Sequence, residues 1–256
     1  MGGADEGPSG RVRHDVQVVT VHGDRTTVRV GDVFLKIDAV QARADAEVEA
    51  MALAPVPTPE VLWHRPPVLA LAAVPGAPLG RVGEPSTAPA SAWRAAGAAI
   101  RTLHDAPLPP RLGVGRDELA ARLAAECEWL TASSGLPSDV LAHHRRRAES
   151  VLRPWTPVFV HGDLHASHVF VDGGRVTGII DWSEAAQGDA LADLASLSLT
   201  HERHVDDLLA GYGAEVDRDL ISGWWSYRCL TAIRWLAENG YGAPEELPEA
   251  TWLLSS

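Results

Sequence analysis

The segment from Pro157 to Trp182 constrains this chain more than any other. Two short apolar runs, Pro157 to Val160 and Val169 to Val171, bracket the loop His161-Gly162-Asp163-Leu164-His165-Ala166-Ser167-His168. A third run, Val176 to Ile180, follows the turn signal Asp172-Gly173-Gly174 and ends at Asp181-Trp182. β-branched runs joined by such a turn read as a hairpin. The pattern therefore puts one carboxylate, Asp163, and one metal-capable imidazole, His168, on a single loop, with a second carboxylate, Asp181, beyond the hairpin. That layout suits phosphoryl transfer, in which one acid orients a hydroxyl and another holds a metal against phosphate oxygens.

A cross-check lies far upstream. Lys36, in Val33-Phe34-Leu35-Lys36-Ile37, is the sole lysine of a chain whose other basic residues are all arginine. A compact ammonium on a strand-like segment acts as a point charge on nucleotide phosphates, a task that a planar guanidinium does not perform equivalently.

Composition bounds the remaining classes. With 46% apolar and 22% charged residues, the 256-residue chain can bury a substantial core, in one large domain or two lobes. A net charge of −12 argues against nucleic acid as a partner, and the sole basic run, Arg145-Arg146-Arg147, has the spacing of a solvated helix face. The acidic balance leans toward a cationic acceptor through the summed field. No apolar run reaches the roughly 18 residues of a membrane span, and the start MGGADEGPSGRVRHD has no apolar signal core, so the expectation is a cytoplasmic protein without a membrane partner. Cys127 and Cys229 sit among apolar neighbours at helical spacing and read as core thiols.

Along the chain, Val16 to Val21, Thr26 to Val30 and Val33 to Ile37 read as a three-strand meander around turns at His22 to Arg25 and Gly31-Asp32. A helix is expected over Ala42 to Leu53, and two further strands at Val61 to Trp63 and Val68 to Leu71. Past Pro78 the periodicity turns helical: Trp93, Ala96, Gly97, Ile100 and Leu103 form one stripe, and Leu119, Leu123, Cys127 and Leu130 another. In Leu220 to Leu236 both faces are largely apolar, which marks a buried or pocket-lining helix.

A β-rich lobe with a lone lysine, a Pro-Gly hinge in VLALAAVPGAPLG, the helix end AAIRTLHDAP, and the block HGDLHASH with IIDW together resemble the aminoglycoside phosphotransferase family. The resemblance covers about residues 20 to 200. It implies an α+β, protein-kinase-like two-lobe fold: an N-terminal tail over 1–13, a nucleotide-binding lobe over 14–74, and a catalytic and substrate-binding lobe over 75–256. It also implies ATP or GTP as donor, Mg²⁺ or Mn²⁺ as metal, and a small-molecule hydroxyl as acceptor. An aminoglycoside or macrolide antibiotic is the first choice; a choline, homoserine or sugar kinase is the alternative.

Carried over residue by residue, the resemblance makes Asp163 the base or orienter for the acceptor hydroxyl, with His161 supporting its loop, and makes Asp181 the main metal ligand. Lys36 would hold the α and β phosphates with Glu49 as its preferred ionic partner over Glu47, though either could serve. Gly23 and Asp24 would form the phosphate-covering turn, while the backbone of Ala72 and Val74 would read the adenine edge. Asp193, in the segment Asp189 to Leu194, would brace the catalytic loop; His165 reads as solvent-facing and has no assigned role. Where the family usually has Asn, this chain has His168, a change similar to that in macrolide phosphotransferases. Because Mg²⁺ prefers oxygen ligands, the second metal site is open. Two readings of other classes compete. A metallohydrolase would use His161, Asp163, His165, His168 and Asp181 as a zinc cluster, and a pseudokinase would bind nucleotide without turnover.

Overall fold

The computed structural model describes residues 16–81 and 83–256; the tail expected over 1–13 lies outside these. The chain divides into two compact units, one built from residues 16–41 and 60–73, the other from 42–59 and 74–256.

The smaller unit is a five-stranded antiparallel sheet. Its strands are β1 (Val16–His22), β2 (Arg25–Val30), β3 (Val33–Asp38), β4 (Val61–Arg65) and β5 (Val68–Ala72), in spatial order β1-β2-β3-β5-β4. All five expected strands are present. The turn between β1 and β2 places Gly23 at φ +48°, a left-handed conformation that glycine adopts without a Cβ penalty. β3 is central, and Lys36 stands opposite Thr27 of β2 and Leu69 of β5. Leu69, Ala70 and Leu71 supply the buried stretch of the sheet.

The larger unit begins with helix α1 (Gln41–Leu53), which the sequence had assigned to the small lobe. The segment after it explains the grouping: the Pro57 carbonyl accepts from the Ile179 amide at 2.8 Å, which ties residues 54–59 to the hairpin strand. Next come β6 (Ala77–Pro78), α2 (Ala90–His104), α3 (Arg116–Ser133) and α4 (Ser138–Glu149). The site block supplies β7 (Val158–Val160), β8 (Val169–Asp172), β9 (Arg175–Ile179) and β10 (Ala186–Gly188). Helices α5 (Ala190–Ser198), α6 (Val205–Tyr212), α7 (Arg218–Glu238) and α8 (Pro248–Ser255) complete it. β7 pairs with β10, and β6, β8 and β9 form a second small sheet. Gly173 and Gly174, both at positive φ, close the β8–β9 hairpin as a two-residue turn of the primed type requires.

The helical core is organised on α7. Ile221, Trp224, Tyr227, Cys229, Leu230 and Ile233 are buried together with Leu119, Leu123, Cys127 and Leu130 of α3 and Leu141 and Ala148 of α4. The apolar stripes read from the sequence are thus the contact faces, and both cysteines are free thiols within them. Arg145 and Arg146 are exposed, as a solvated face requires. Among the described residues no helix is long and apolar enough to cross a membrane.

Helices α2 and α6 approach backbone to backbone. A Cβ at Gly97 would collide with the Leu208 carbonyl, and one at Gly211 with the Arg94 carbonyl. Neither obstacle is a side chain that can swing aside, so adding one methyl must separate the helices. Gly97→Ala is expected to destabilise the protein by about 1–3 kcal/mol, read as a lower denaturant midpoint with an unchanged far-ultraviolet spectrum; an unshifted midpoint would contradict the close packing.

Candidate active site

The loop His161–His168 is pinned from below by one buried carboxylate. Asp193, in the first turn of α5, accepts from the His161 amide at 2.7 Å and the Gly162 amide at 3.0 Å. His104 of α2 lies 3.2 Å from the same carboxylate through Nε2 and 3.0 Å from the Tyr212 hydroxyl through Nδ1. Since the carboxylate only accepts, His104 carries its proton on Nε2 and Nδ1 receives the tyrosine proton. Burial acts to raise the Asp193 pKa, but the His104 hydrogen bond and the surrounding donors outweigh it and hold the group below its ordinary value. Gly162 sits at φ +85°, where an added Cβ would strike the Glu184 carbonyl, so the position admits glycine alone.

His161 pins the loop from above. Its Nε2 donates to the Ile180 carbonyl at 3.0 Å and its Nδ1 receives the Asp163 amide at 3.3 Å. Trp182, fully buried, packs against this ring at 4.7 Å between centroids with the two planes tilted by 57°. Burial lowers the His161 pKa, so the ring is neutral, in the tautomer these two bonds require. With both nitrogens engaged and no exposed surface, His161 cannot touch a substrate. Its expected place beside Asp163 narrows to holding the loop.

Asp163 is oriented by a residue that the sequence reading missed. Arg228 of α7 donates through Nη2 to Asp163 Oδ1 at 2.7 Å and lies 2.6 Å from His165 Nε2. His165 Nε2 also lies 3.0 Å from Asp163 Oδ1, so guanidinium, imidazole and carboxylate oxygen meet in one three-way contact. Burial lowers the His165 pKa, which agrees with a neutral ring. His165 is therefore part of the constellation rather than a solvent-facing residue. For Asp163, burial acts to raise the pKa, but His165 and the Arg228 charge prevail and keep the carboxyl well below the usual carboxylate range. Its Oδ2 has no protein hydrogen-bond partner among the described residues, and the side chain is 33% exposed. A signal for Arg228 was present in the sequence: a charge within a helix whose faces are otherwise largely apolar.

Asp181 adopts φ +66°, uncommon for a residue with a Cβ and worth a functional reading where it occurs. Its neighbours hold it there. Ile180 donates its amide to the His168 carbonyl at 3.0 Å and gives its own carbonyl to His161, while the Trp182 indole donates to Ile179 at 2.7 Å. Beyond it, the Arg111 guanidinium binds the Ser183 carbonyl. His168 donates Nδ1–H to the Asp163 carbonyl at 2.8 Å, which leaves Nε2 with its lone pair for a metal. No group of three or more His, Cys, Asp or Glu converges among the described residues as a protein-only zinc site needs. The donor set instead fits a divalent ion held by one carboxylate, with phosphate and water oxygens completing the shell as Mg²⁺ prefers; the imidazole is the poorer Mg²⁺ ligand.

The other expected residues are distributed as follows. In the smaller unit, Lys36 is half-buried on the central strand and Asp24 is exposed beside Gly23 in the β1–β2 turn. The Ala72 amide already donates to the Glu60 carbonyl at 2.9 Å, so only its carbonyl is left to read a base. In the larger unit, the Val74 amide has no backbone partner among the described residues, and the Val74 side chain packs over Gly178. The two glutamates of α1 differ in burial. Glu49 faces solvent, whereas Glu47 is 2% exposed on the face of Ala44, Ala50 and Met51, because three- and four-residue spacing shares a helix face and two-residue spacing does not.

Comparisons with known proteins bear on the family and the fold. The model of the phosphotransferase enzyme family APH matches residues 14–230. Viomycin phosphotransferase of Streptomyces vinaceus is 32% identical over 179 residues, 63% of this chain and 56% of that protein, so the chain spans little over half the length of this curated relative. Among solved structures, macrolide 2'-phosphotransferase MphH from Brachybacterium faecium superposes with a TM-score of 0.66 at 20% identity, covering 93% of this chain and 91% of that one. The GDP and kanamycin complex of APH(2")-IIia gives 0.69 at 17% identity, covering 94% and 91%. At such identities the likeness concerns the α+β fold.

The buried acid sets an acid limit on stability. Because the Asp193 pKa is depressed in the folded protein, its contribution is complete above the unfolded value of about 3.9 and is lost as pH falls through the lower folded value. Asp193→Asn turns an NH2 donor toward donors that a carboxylate oxygen accepts in the native protein, and is expected to cost about 1–3 kcal/mol at neutral pH. It should also flatten the acid branch of a stability-against-pH curve; an unchanged acid branch would remove Asp193 from this role.

Proposed function

The chain belongs to the phosphotransferase enzyme family, and from that premise we propose that it is a small-molecule kinase. It moves the γ-phosphate of ATP or GTP to a hydroxyl of a small molecule, for which an antibiotic of aminoglycoside or macrolide type is the first candidate. The antibiotics in the names of its relatives, viomycin, kanamycin and the macrolides, motivate that acceptor, and the GDP complex of one neighbour motivates the nucleotide.

The observation that carries the reading is Asp163 itself. One carboxylate oxygen is held by Arg228, the other has no protein partner among the described residues, and the loop is fixed at the His161 and Gly162 amides and at both ends of the His161 ring. Such an oxygen receives the acceptor hydroxyl and aims its lone pair at the phosphorus. A carboxyl with a depressed pKa is a weak proton acceptor, so Asp163 orients the hydroxyl early and takes its proton late. That suits a loose transition state, in which positioning counts for more than proton abstraction. When bound, a divalent metal on Asp181, with His168 as the second side chain, supplies charge neutralisation at the phosphates. Lys36 supplies the fixed ammonium on the phosphates, and Glu47 is the carboxylate proposed to pair with it. Gly23 and Asp24 cover the phosphates, and the Ala72 carbonyl and Val74 amide read the base.

Two variants separate these roles. Asp163→Ala is expected to lower turnover by about 10²–10⁴-fold with nucleotide affinity nearly unchanged, measured as labelled phosphate transferred to a panel of hydroxylated antibiotics and metabolites. Lys36→Ala should instead raise the nucleotide KM at least about tenfold. Undiminished transfer by the first variant, or an unchanged nucleotide dependence in the second, would remove that residue from its role.

A further inference from the structure

A cluster of buried, unpaired polar atoms lies beside the catalytic loop rather than in it. His201 is 3% exposed, and neither Nδ1 nor Nε2 has a hydrogen-bond partner among the described residues. The Thr200 hydroxyl and the Trp93 indole N–H are buried without partners as well. Thr200 also adopts φ +65°, an outlier for a β-branched residue, so the backbone is strained just before His201. Buried polar groups are normally paired, and exceptions of this kind need a physical reason.

The His201 ring touches the segment that supports the catalytic loop. Its centroid is 5.4 Å from that of Trp93 on α2. A Cβ added at Gly80 would lie 2.8 Å from His201 Nε2 and 3.2 Å from the Ala166 Cβ, so imidazole, Gly80 and loop meet without room for a methyl group. The Gly80 amide donates to the Ala166 carbonyl at 3.2 Å and the Leu79 amide to the Val169 carbonyl at 2.7 Å, on either side of His168. The same segment is tied to the turn that follows His201: the Ser86 hydroxyl donates to the Leu79 carbonyl at 2.5 Å, and Arg203 donates to the Ser86 carbonyl.

We propose that His201 is a proton-operated latch on the catalytic loop: neutral, its ring fills the space between Trp93 and Gly80 and keeps Leu79 and Gly80 bonded to the loop, whereas protonated on both nitrogens it leaves that space and phosphoryl transfer falls. A second ring proton would add an unpaired donor and a full charge where no acceptor waits. The surrounding charged groups do not supply one. In the turn after His201, Glu202 is engaged at Oε1 by the Trp252 indole at 2.6 Å, while Arg203 and His204 oppose a further positive charge. On α2, Arg94 pairs with Asp207; Arg81 and Glu84 of the supporting segment are exposed. In the catalytic loop, His165 is held by Arg228 and Asp163, and His168 by the Asp163 carbonyl. Burial and then His204 lower the His201 pKa, with Glu202 the opposing neighbour. The open, solvated ring therefore takes a proton first: the latch holds fully above about 6.5 and weakens as pH falls below it. The strain at Thr200 and the unpaired polar atoms make the closed state costly, which places the opening at the low end of local stability.

The test uses the whole chain. In the folded wild-type protein, nuclear magnetic resonance of the His201 ring should show it neutral well below its ordinary pKa. Protection of the Leu79 and Gly80 amides against hydrogen exchange should be lower than that of α2 core amides such as Leu103, and should drop about threefold between about pH 7.5 and about pH 5.5. Over the same range kcat for phosphate transfer to the acceptor panel should fall about threefold more in wild type than in His201→Phe or His201→Leu, neither of which can titrate there. In both variants the acid loss of protection at Leu79 and Gly80 should disappear. A His201 ring that titrates at its ordinary value, unchanged exchange at the two amides, or equal acid losses in wild type and variants overturns the latch. The ring titration on wild-type protein decides the matter if both variants melt early. The kcat arm rests on the phosphotransferase reading, but titration and exchange do not: absence of transfer to every acceptor would strike that reading alone.

Discussion

A single carboxylate with almost no access to water, Asp193, is the interaction on which the site depends. Two successive backbone amides, those of His161 and Gly162, can be buried only if something accepts from them, and a strand turning sharply into a loop leaves no ladder partner to do so. Asp193 takes both. Its own charge is tolerable because His104 supplies a third donor and Tyr212 in turn satisfies His104, so the chain of bonds runs from α6 through α2 and α5 to the loop. Breaking any link leaves an unpaired buried group, which explains why so much buried polarity is arranged around a few atoms.

The same logic ties the second acidic residue to the first. His161 fixes Ile180 with one nitrogen and receives the Asp163 amide with the other, so the residue before Asp181 is set by the ring that sets Asp163. The left-handed backbone of Asp181 is stable only because both flanks are over-determined, by the hydrogen bonds of Ile180 on one side and the buried indole of Trp182 on the other. The distance between the two carboxylates in the chain is thus converted into a fixed local arrangement by one imidazole.

Features that depend on neighbours along the chain were legible beforehand. The Gly173-Gly174 hairpin, the five strands of the smaller unit and the buried stripes of α2 and α3 all follow from turn chemistry and periodicity. Features decided by partners far along the chain were not. Arg228 reaches Asp163 across 65 positions, and nothing in the apolar pattern of α7 says which residue that arginine meets. His165 looked solvent-facing for the same reason. β10 is three residues long, too short for alternation to mark it, and exists because β7 offers an edge. Glu47 and Glu49 differ differently: periodicity with Ala44, Ala50 and Met51 was available, but motif resemblance outweighed it, and the buried face went to the other residue.

Global charge and local charge also give opposite guidance here. A net charge of −12 spread over the chain suggests attraction for cations, yet exposed charges beyond roughly 8–10 Å are largely screened at physiological salt. What an acceptor meets at the reacting oxygen is set by groups within hydrogen-bonding distance, and there the fixed cation Arg228 cancels Asp163. The acidic surface can then influence only the approach of a ligand. A chain of acidic composition can in this way hold a charge-compensated carboxylate at its reacting centre, because the two properties are set at different distances.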